Sequence, residues 1–264
     1  MNRWTPPPGT LIGMVHLHAL PGTPRAGESV AEIAARAARE TAILIDAGFD
    51  AIMVENMHDL PYLRRTVGPE VVAAMTMAVA AVVDAAGDRP VGVQVLAGAN
   101  REAISIAHAT GARFIRAEGF AYAAVADEGL LEEADAGPLL RHRRNMGADD
   151  VAIWADVRKK HSAHAITGDL VLADLVSGHE FMGADAVIIT GSHTGQAVSL
   201  HDLAAARQAS PLPVAVGSGA TPQSLPELLE HATAVIVGSG LKIDGCWSND
   251  IDPARAHAFV EARG

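Results

Sequence analysis

Apolar residues fall into short runs separated by longer segments of helical period. The runs occupy residues 11–15, 51–54, 91–96, 114–117, 151–155, 186–190, 214–216 and 235–237. They are nearly continuous in hydrophobicity and rich in Val and Ile, as strands buried on both faces of a parallel sheet are. Between them the period changes to 3.6. Ser29-Val-Ala-Glu32 reads as a capping box. Val30, Ile33, Ala34, Ala37, Leu44 and Ile45 then share one helix face, with Glu32, Arg36 and Arg39 on another, until Gly48 ends the segment. Further helices are predicted over 71–86, 101–110, 139–146 and 170–182, and one after a cap at Ser199. The last begins at Asp252-Pro253, an N-cap followed by a proline at the first helical position. Eight strands alternating with eight helices imply parallel pairing, and eight repeats imply closure. The predicted fold is a single (β/α)8 TIM barrel, with a doubly wound open sheet as the alternative.

Loop lengths support the barrel. The links from helix to strand are tight, and the Gly-Ala pairs at 111–112, 147–148 and 183–184 read as glycine caps feeding straight into strands. The links from strand to helix are long: 16–28, 55–68, 118–132 and 156–168. Long loops inside a compact domain are usually functional, and these all lie on the face where barrel enzymes place their active sites.

Composition narrows the class. The 264 residues suit one barrel domain over 1–264, with residues 1–10 as a proline-rich lead-in. A net charge of −11 argues against a general nucleic-acid surface. The single Cys246 gives no intramolecular disulfide framework and fits a reducing compartment. The first residues lack the apolar region of a signal peptide, and no stretch of about 18 uninterrupted apolar residues occurs. A cytoplasmic protein without a membrane span is expected.

Two glycine runs carry the first functional signal. Val214-Ala-Val-Gly-Ser-Gly-Ala220 and Val235-Ile-Val-Gly-Ser-Gly-Leu241 each end a strand in Gly-Ser-Gly. Glycines let backbone N–H groups approach a ligand closely, and a helix start beyond them would add its positive end. In barrels of this kind a phosphate often sits on the loops after strands seven and eight. Gly217, Ser218, Gly219, Gly238, Ser239 and Gly240 are therefore expected to hold a phosphate, with Gly191, Ser192 and Lys242 assisting.

Polar residues at the other strand ends are the candidates for chemistry: His16, His18, Glu55, Asn56, Gln94, Arg116, Glu118, Asp156 and Thr190. Asp156 is the leading proton-transfer group, with His16, Glu55 and Glu118 as further acids and bases. His16 reads equally well as a tie between a strand end and a neighbouring loop. Arg116 reads as a counter-ion to Glu118 or Glu55, or as an anchor for an anionic substrate, with Asn56 beside it. Lys159 and Lys160 fit a phosphate clamp, a Schiff-base amine or solvated charge. No compact metal-ligand spacing occurs, and the need for a divalent metal or any other cofactor stays open. Neither a Gly-x-Ser-x-Gly elbow nor a Rossmann fingerprint is present.

An ordered set of motifs runs from residue 11 to the C-terminus. It comprises Ile12-Gly-Met-Val-His-Leu17 with Leu20-Pro-Gly22, Val54-Glu-Asn56, Ala155-Asp156 with Lys160-His161, Ile189-Thr-Gly-Ser192, the two Val-Gly-Ser-Gly runs, and Asn249 to Pro253. Together they resemble the BtpA/SgcQ family. The resemblance implies a barrel of the ribulose-phosphate-binding type and brings no single reaction. One namesake is tied to photosystem I accumulation, the other to a bacterial sugar-utilisation gene cluster. His18-Ala19, Gln94, Glu118 and Arg158 depart from the family pattern.

The expectation is an enzyme acting on a small phosphorylated metabolite, a sugar phosphate or nucleotide-like compound, by isomerisation, aldol cleavage, glycosidic hydrolysis or similar acid–base chemistry. The alternative is a non-catalytic factor of the photosystem I biogenesis kind. A homo-oligomer is expected from barrel enzymes generally.

Overall fold

The computed structural model describes residues 3–191 and 197–264. Its barrel strands are β1 (Thr10–His16), β2 (Ala51–Glu55), β3 (Val91–Gln94), β4 (Phe114–Ala117), β5 (Ala152–Val157), β6 (Ala186–Ile189), β7 (Val214–Val216) and β8 (Ala234–Val237). All neighbours pair in parallel, and the sheet closes by joining β1 to β8. Eight helices follow the strands: α1 (Val30–Ala47), α2 (Pro69–Ala86), α3 (Asn100–Thr110), α4 (Ala136–Asn145), α5 (Leu172–Phe181), α6 (Leu200–Ala209), α7 (Leu225–His231) and α8 (Pro253–Arg263). The (β/α)8 barrel read from the chain is the fold, and the open sheet is not.

The caps account for the helix boundaries. Ser29 accepts from the Glu32 N–H while Glu32 accepts from the Ser29 N–H, and Gly48 ends α1 in the left-handed region at φ 100°. Asp252 accepts from the Ala254 N–H at the start of α8, with Pro253 in the first turn. The helix α2 is long and apolar enough, by length and composition, to cross a membrane. Here seven of its residues, Val71 to Ala86 among them, are buried, and it packs against α1 and α3.

Strand alternation sorts the core into two parts. Outward residues such as Leu11, Val15 and Val54 pack under the helices. Inward residues form a separate cluster inside the barrel, with Ile12, Met14, Met53, Phe114, Trp154 and Ile236 among its members. Gly92 leaves room for the Phe114 ring, since a Cβ there would lie 2.4 Å from it. Two residues further along the same strands, the inward positions are His16, Glu55, Gln94, Arg116, Asp156, Gly217 and Gly238. The period that fills the barrel with hydrocarbon thus sets a polar top layer on it.

The proline-rich lead-in has a structural role that its composition does not announce. Trp4 stacks on Trp154 with centroids 5.2 Å apart and planes 8° from parallel, and it meets Phe114 at 4.8 Å. It stops the end of the barrel opposite the polar layer. Arg3 fastens it by an ion pair of 2.9 Å to Asp185. Trp4→Ala is expected to lower stability by about 2–3 kcal/mol, read from urea unfolding. A change below about 0.5 kcal/mol would show that the stack is only decorative.

One element was not legible as such. The loops after β4 and β5 join in an antiparallel sheet of three short strands, Gly129–Leu131, Ala124–Ala126 and Ser162–Ala163. Strands of two or three residues, here Gly-Leu-Leu, Ala-Val-Ala and Ser-Ala, are too short to show an alternation.

Candidate active site at the C-terminal face of the barrel

A cavity of about 260 Å³ opens on the polar layer. It is lined by His16, Glu55, Arg116 and Lys160 on one side and by both Gly-Ser-Gly loops on the other. The strands place them. β1, β2 and β3 pair so that His16 lies level with Glu55 and Glu55 with Gln94. β7 and β8 give way to glycine at the same height. Charged side chains thus occupy one half of the mouth and bare backbone the other.

His16 and Glu55 form a proton-bearing pair. The His16 Nδ1 lies 3.0 Å from the Trp247 carbonyl, which can only accept, so Nδ1 carries the proton. The unprotonated Nε2 faces Glu55 Oε2 at 3.5 Å. Burial, reinforced by the positive charge of Lys242, holds the imidazole pKa down at about 3, so the ring stays neutral. Burial pushes the Glu55 carboxyl above its usual range, against the pull of Lys160 and Arg116. A neutral imidazole with a free Nε2 beside a carboxyl with a raised pKa is a donor–acceptor arrangement of the kind proton transfer uses. The Trp247 contact makes His16 a tie between a strand end and a neighbouring loop, one of the two readings the sequence left open.

Asp156 has a different place from the one expected. Arg116 donates to both its oxygens, Nε to Oδ1 at 2.9 Å and Nη2 to Oδ2 at 3.1 Å, and both side chains are buried. The counter-ion of Arg116 is therefore Asp156 rather than Glu118 or Glu55. A carboxylate held twice by a guanidinium is poorly placed to exchange a proton. Glu118 lies outside the cavity and faces Lys159 at 3.9 Å, whose ammonium is 2.7 Å from Glu128. Burial raises the Glu118 pKa to about 7, with the negative charges of Asp156 and Glu128 adding to the rise.

Two further expectations are corrected. Lys242 is buried and donates to both oxygens of Glu40, at 3.1 and 3.0 Å, so it pins α1 rather than a phosphate. Asn56 donates to Asp59 at 2.8 Å and accepts from the Leu96 N–H at 2.7 Å, bracing the loops after β2 and β3. Gly191 does adjoin the cradle, since its N–H donates to Ser218 Oγ at 3.3 Å. Ser192 lies outside the described residues. The helix-end contribution is also smaller than the motifs imply. Beyond β8 two 3₁₀ turns, Ser239–Leu241 and Ile243–Gly245, come before α8, and α7 starts well after Gly219. The cavity is also lined by a cation that the sequence reading missed. Arg255, in the first turn of α8, lines the cavity beside Gly238–Gly240. A basic residue at a helix start opposes the macrodipole, and that anomaly was the available signal. Among the described residues no group of three or more His, Cys, Asp or Glu could hold a metal ion.

The Glu118 pKa gives a signed prediction. A folded-state value of about 7, above the ordinary 4.5, contributes stability at low pH that is lost as pH rises through 7. His16 acts oppositely, losing stability as pH falls from 6.5 toward 3. Glu118→Gln is expected to gain in melting temperature over the wild type between pH 5 and pH 8. An unchanged difference across that range would contradict the burial argument.

Barrel, polar layer and paired glycine loops define an α/β barrel protein with a polar mouth. The chain belongs to the BtpA family, whose sequence profile matches residues 8–263. It is 41% identical over 255 residues to an uncharacterized mitochondrial protein of Caenorhabditis elegans, covering 95% of this chain and 91% of that one. It is 39% identical over 256 residues to the photosystem I biogenesis protein BtpA of Synechocystis, covering 96% and 87%. Among solved structures, 3-hexulose-6-phosphate synthase superposes with a TM-score of 0.58 at 16% identity, over 96% of this chain and 99% of that one. N-(5′-phosphoribosyl)anthranilate isomerase of Pyrococcus furiosus gives 0.58 at 15%, over 96% and 98%. Those likenesses carry the fold alone.

Proposed function

We propose that this protein is an enzyme acting on a small phosphorylated metabolite by acid–base chemistry. The observation that carries the reading is one cavity in which two glycine-ended strands face the His16–Glu55 pair. The backbone N–H groups around Gly217–Gly219 and Gly238–Gly240, with Arg255, hold the phosphate. Glu55 gives a proton to the reacting end and His16 Nε2 takes one. Arg116 adds positive charge to the same wall, kept in place by Asp156. Phosphate binding away from the reacting atoms positions the substrate and lowers the barrier.

A cavity of about 260 Å³ suits a triose to pentose phosphate better than a dinucleotide. The name of the Synechocystis relative supports a second reading, a biogenesis factor without chemistry. Two ionisable groups buried at the mouth with displaced pKa values favour catalysis, because a scaffold has no use for them. Calorimetric titration with inorganic phosphate and with three-, four- and five-carbon sugar phosphates tests the reading. Selective binding in the range below 1 mM (roughly −4 kcal/mol or stronger) is expected. No binding by any of them would move the weight to the biogenesis reading.

A further inference from the structure

The chain contains three lysines, Lys159, Lys160 and Lys242, against 17 arginines. Where a surface cation is wanted, arginine supplies it. All three lysines follow the C-terminal ends of barrel strands, at the mouth. Two of them are locked. Lys242 is held by Glu40, and Lys159 by Glu128 and Glu118. Arg116, the other cation on that wall, is held by Asp156.

Lys160 differs from all of these. Among the described residues it has no carboxylate within ion-pair distance, and it lines the cavity together with His16, Glu55 and Arg116. The backbone is bent to put it there. Arg158 and His161, which bracket the two lysines, both adopt positive φ, at 56° and 57°. Such conformations are costly for residues other than glycine and gather at functional sites. The turn sends Lys159 toward Glu118 and Glu128 and leaves Lys160 at the cavity. Arg255, which also lines the cavity, is paired with Asp252 at 3.7 Å, so among the described residues Lys160 is the lysine or arginine of the lining with no carboxylate partner.

We infer that Lys160 is the nucleophile of a Schiff base, and that the substrate is a phosphorylated aldehyde or ketone. The inference rests on the phosphate site proposed above. A lysine must be neutral to attack, and burial together with the charge of Arg116 lowers its pKa, as that role needs. The Nζ lone pair attacks the carbonyl carbon, a C–N bond forms, and the C=O π pair moves onto oxygen. That oxygen takes a proton from Glu55, and the nitrogen gives one to His16 Nε2. A second proton, passed back from His16 through Glu55, lets the oxygen leave as water while the nitrogen lone pair closes the C=N bond. Amine, carbonyl and the Glu55 proton become a protonated imine, water and the Glu55 carboxylate, with no change of oxidation state.

The scarcity of amines makes the test clean. The full-length protein is incubated with dihydroxyacetone phosphate or glyceraldehyde 3-phosphate and sodium cyanoborohydride, whose hydride reduces an imine to a stable secondary amine. Intact mass and peptide mapping then locate the adduct. A single adduct on Lys160 is expected, at least tenfold faster than with unphosphorylated dihydroxyacetone, suppressed by inorganic phosphate and missing in Lys160→Arg. Thermal melting with the same sugar phosphates is measured in parallel on the wild type and Lys160→Arg. Stabilisation by a sugar phosphate without a Lys160 adduct would overturn the Schiff base and leave the phosphate reading standing. Label spread over Lys159 and the N-terminus would also overturn it. Neither stabilisation nor adduct would overturn both.

Discussion

Replacing Arg116 by methionine is expected to lower folding stability by about 3–5 kcal/mol, among the largest effects of any single change in this chain. The Arg116 and Asp156 side chains are 2% and 1% exposed, and two hydrogen bonds join them. Removing the guanidinium leaves the Asp156 carboxylate buried without its partner, and burying a lone charge costs far more than a paired one gains. The double variant Arg116→Met/Asp156→Leu removes both charges and is expected to recover most of the loss. Equilibrium unfolding in urea reads both values. A loss below about 1 kcal/mol in the single variant would mean that water reaches Asp156 and that the polar layer is not sealed.

Lys242→Met is the second large effect, again about 3–5 kcal/mol, for the same physical reason at a different place. Glu40 accepts both bonds from Lys242 and one more from the Ile251 N–H at 3.1 Å. This cluster ties α1 to the segment that leads into α8. Since Lys242 does not line the cavity, the variant should keep phosphate affinity within about threefold, or roughly 0.7 kcal/mol. A strong loss of phosphate binding with little loss of stability would return Lys242 to the role its position in the sequence implied.

Those two residues show where sequence reading reaches its limit. Alternation along a strand is a local property, so Met14, Met53 and Trp154 foretell that His16, Glu55 and Asp156 face the barrel axis. The gaps after His16, Glu55 and Asp156 foretell which end is open. Pairing between strands is not local. Nothing near Asp156 says that Arg116 reaches it from 40 residues away, nor that Lys242 meets Glu40 across 202 residues. Arg255 was hidden in a helix turn, and Trp4 in a segment read only as a proline-rich lead-in. The Gly-Ser-Gly loops were legible because they depend on missing side chains, a requirement that stays visible in the residue names.

The glycines also differ in what they permit. A Cβ at Gly217 would lie 2.6 Å from Ile188 and 2.7 Å from a Thr190 methyl, and one at Gly240 would lie 2.9 Å from the Phe259 ring. Gly219 sits at φ 75°, where any side chain is strained. Substitutions there change the fold along with the site. Gly238 is the exception. A Cβ on it would come no closer than 3.6 Å to any neighbour, that neighbour being His16 Nε2, and it would occupy the cavity.

The most direct test is therefore a calorimetric titration of dihydroxyacetone phosphate and inorganic phosphate into the wild type and Gly238→Ala. Both proteins are expected to fold to the same barrel, read by circular dichroism. Phosphate binding by the wild type is expected, with a loss of about 100-fold, roughly 2.8 kcal/mol, in the variant. Equal binding by the two proteins, or none by the wild type, would contradict the phosphate site between β7 and β8.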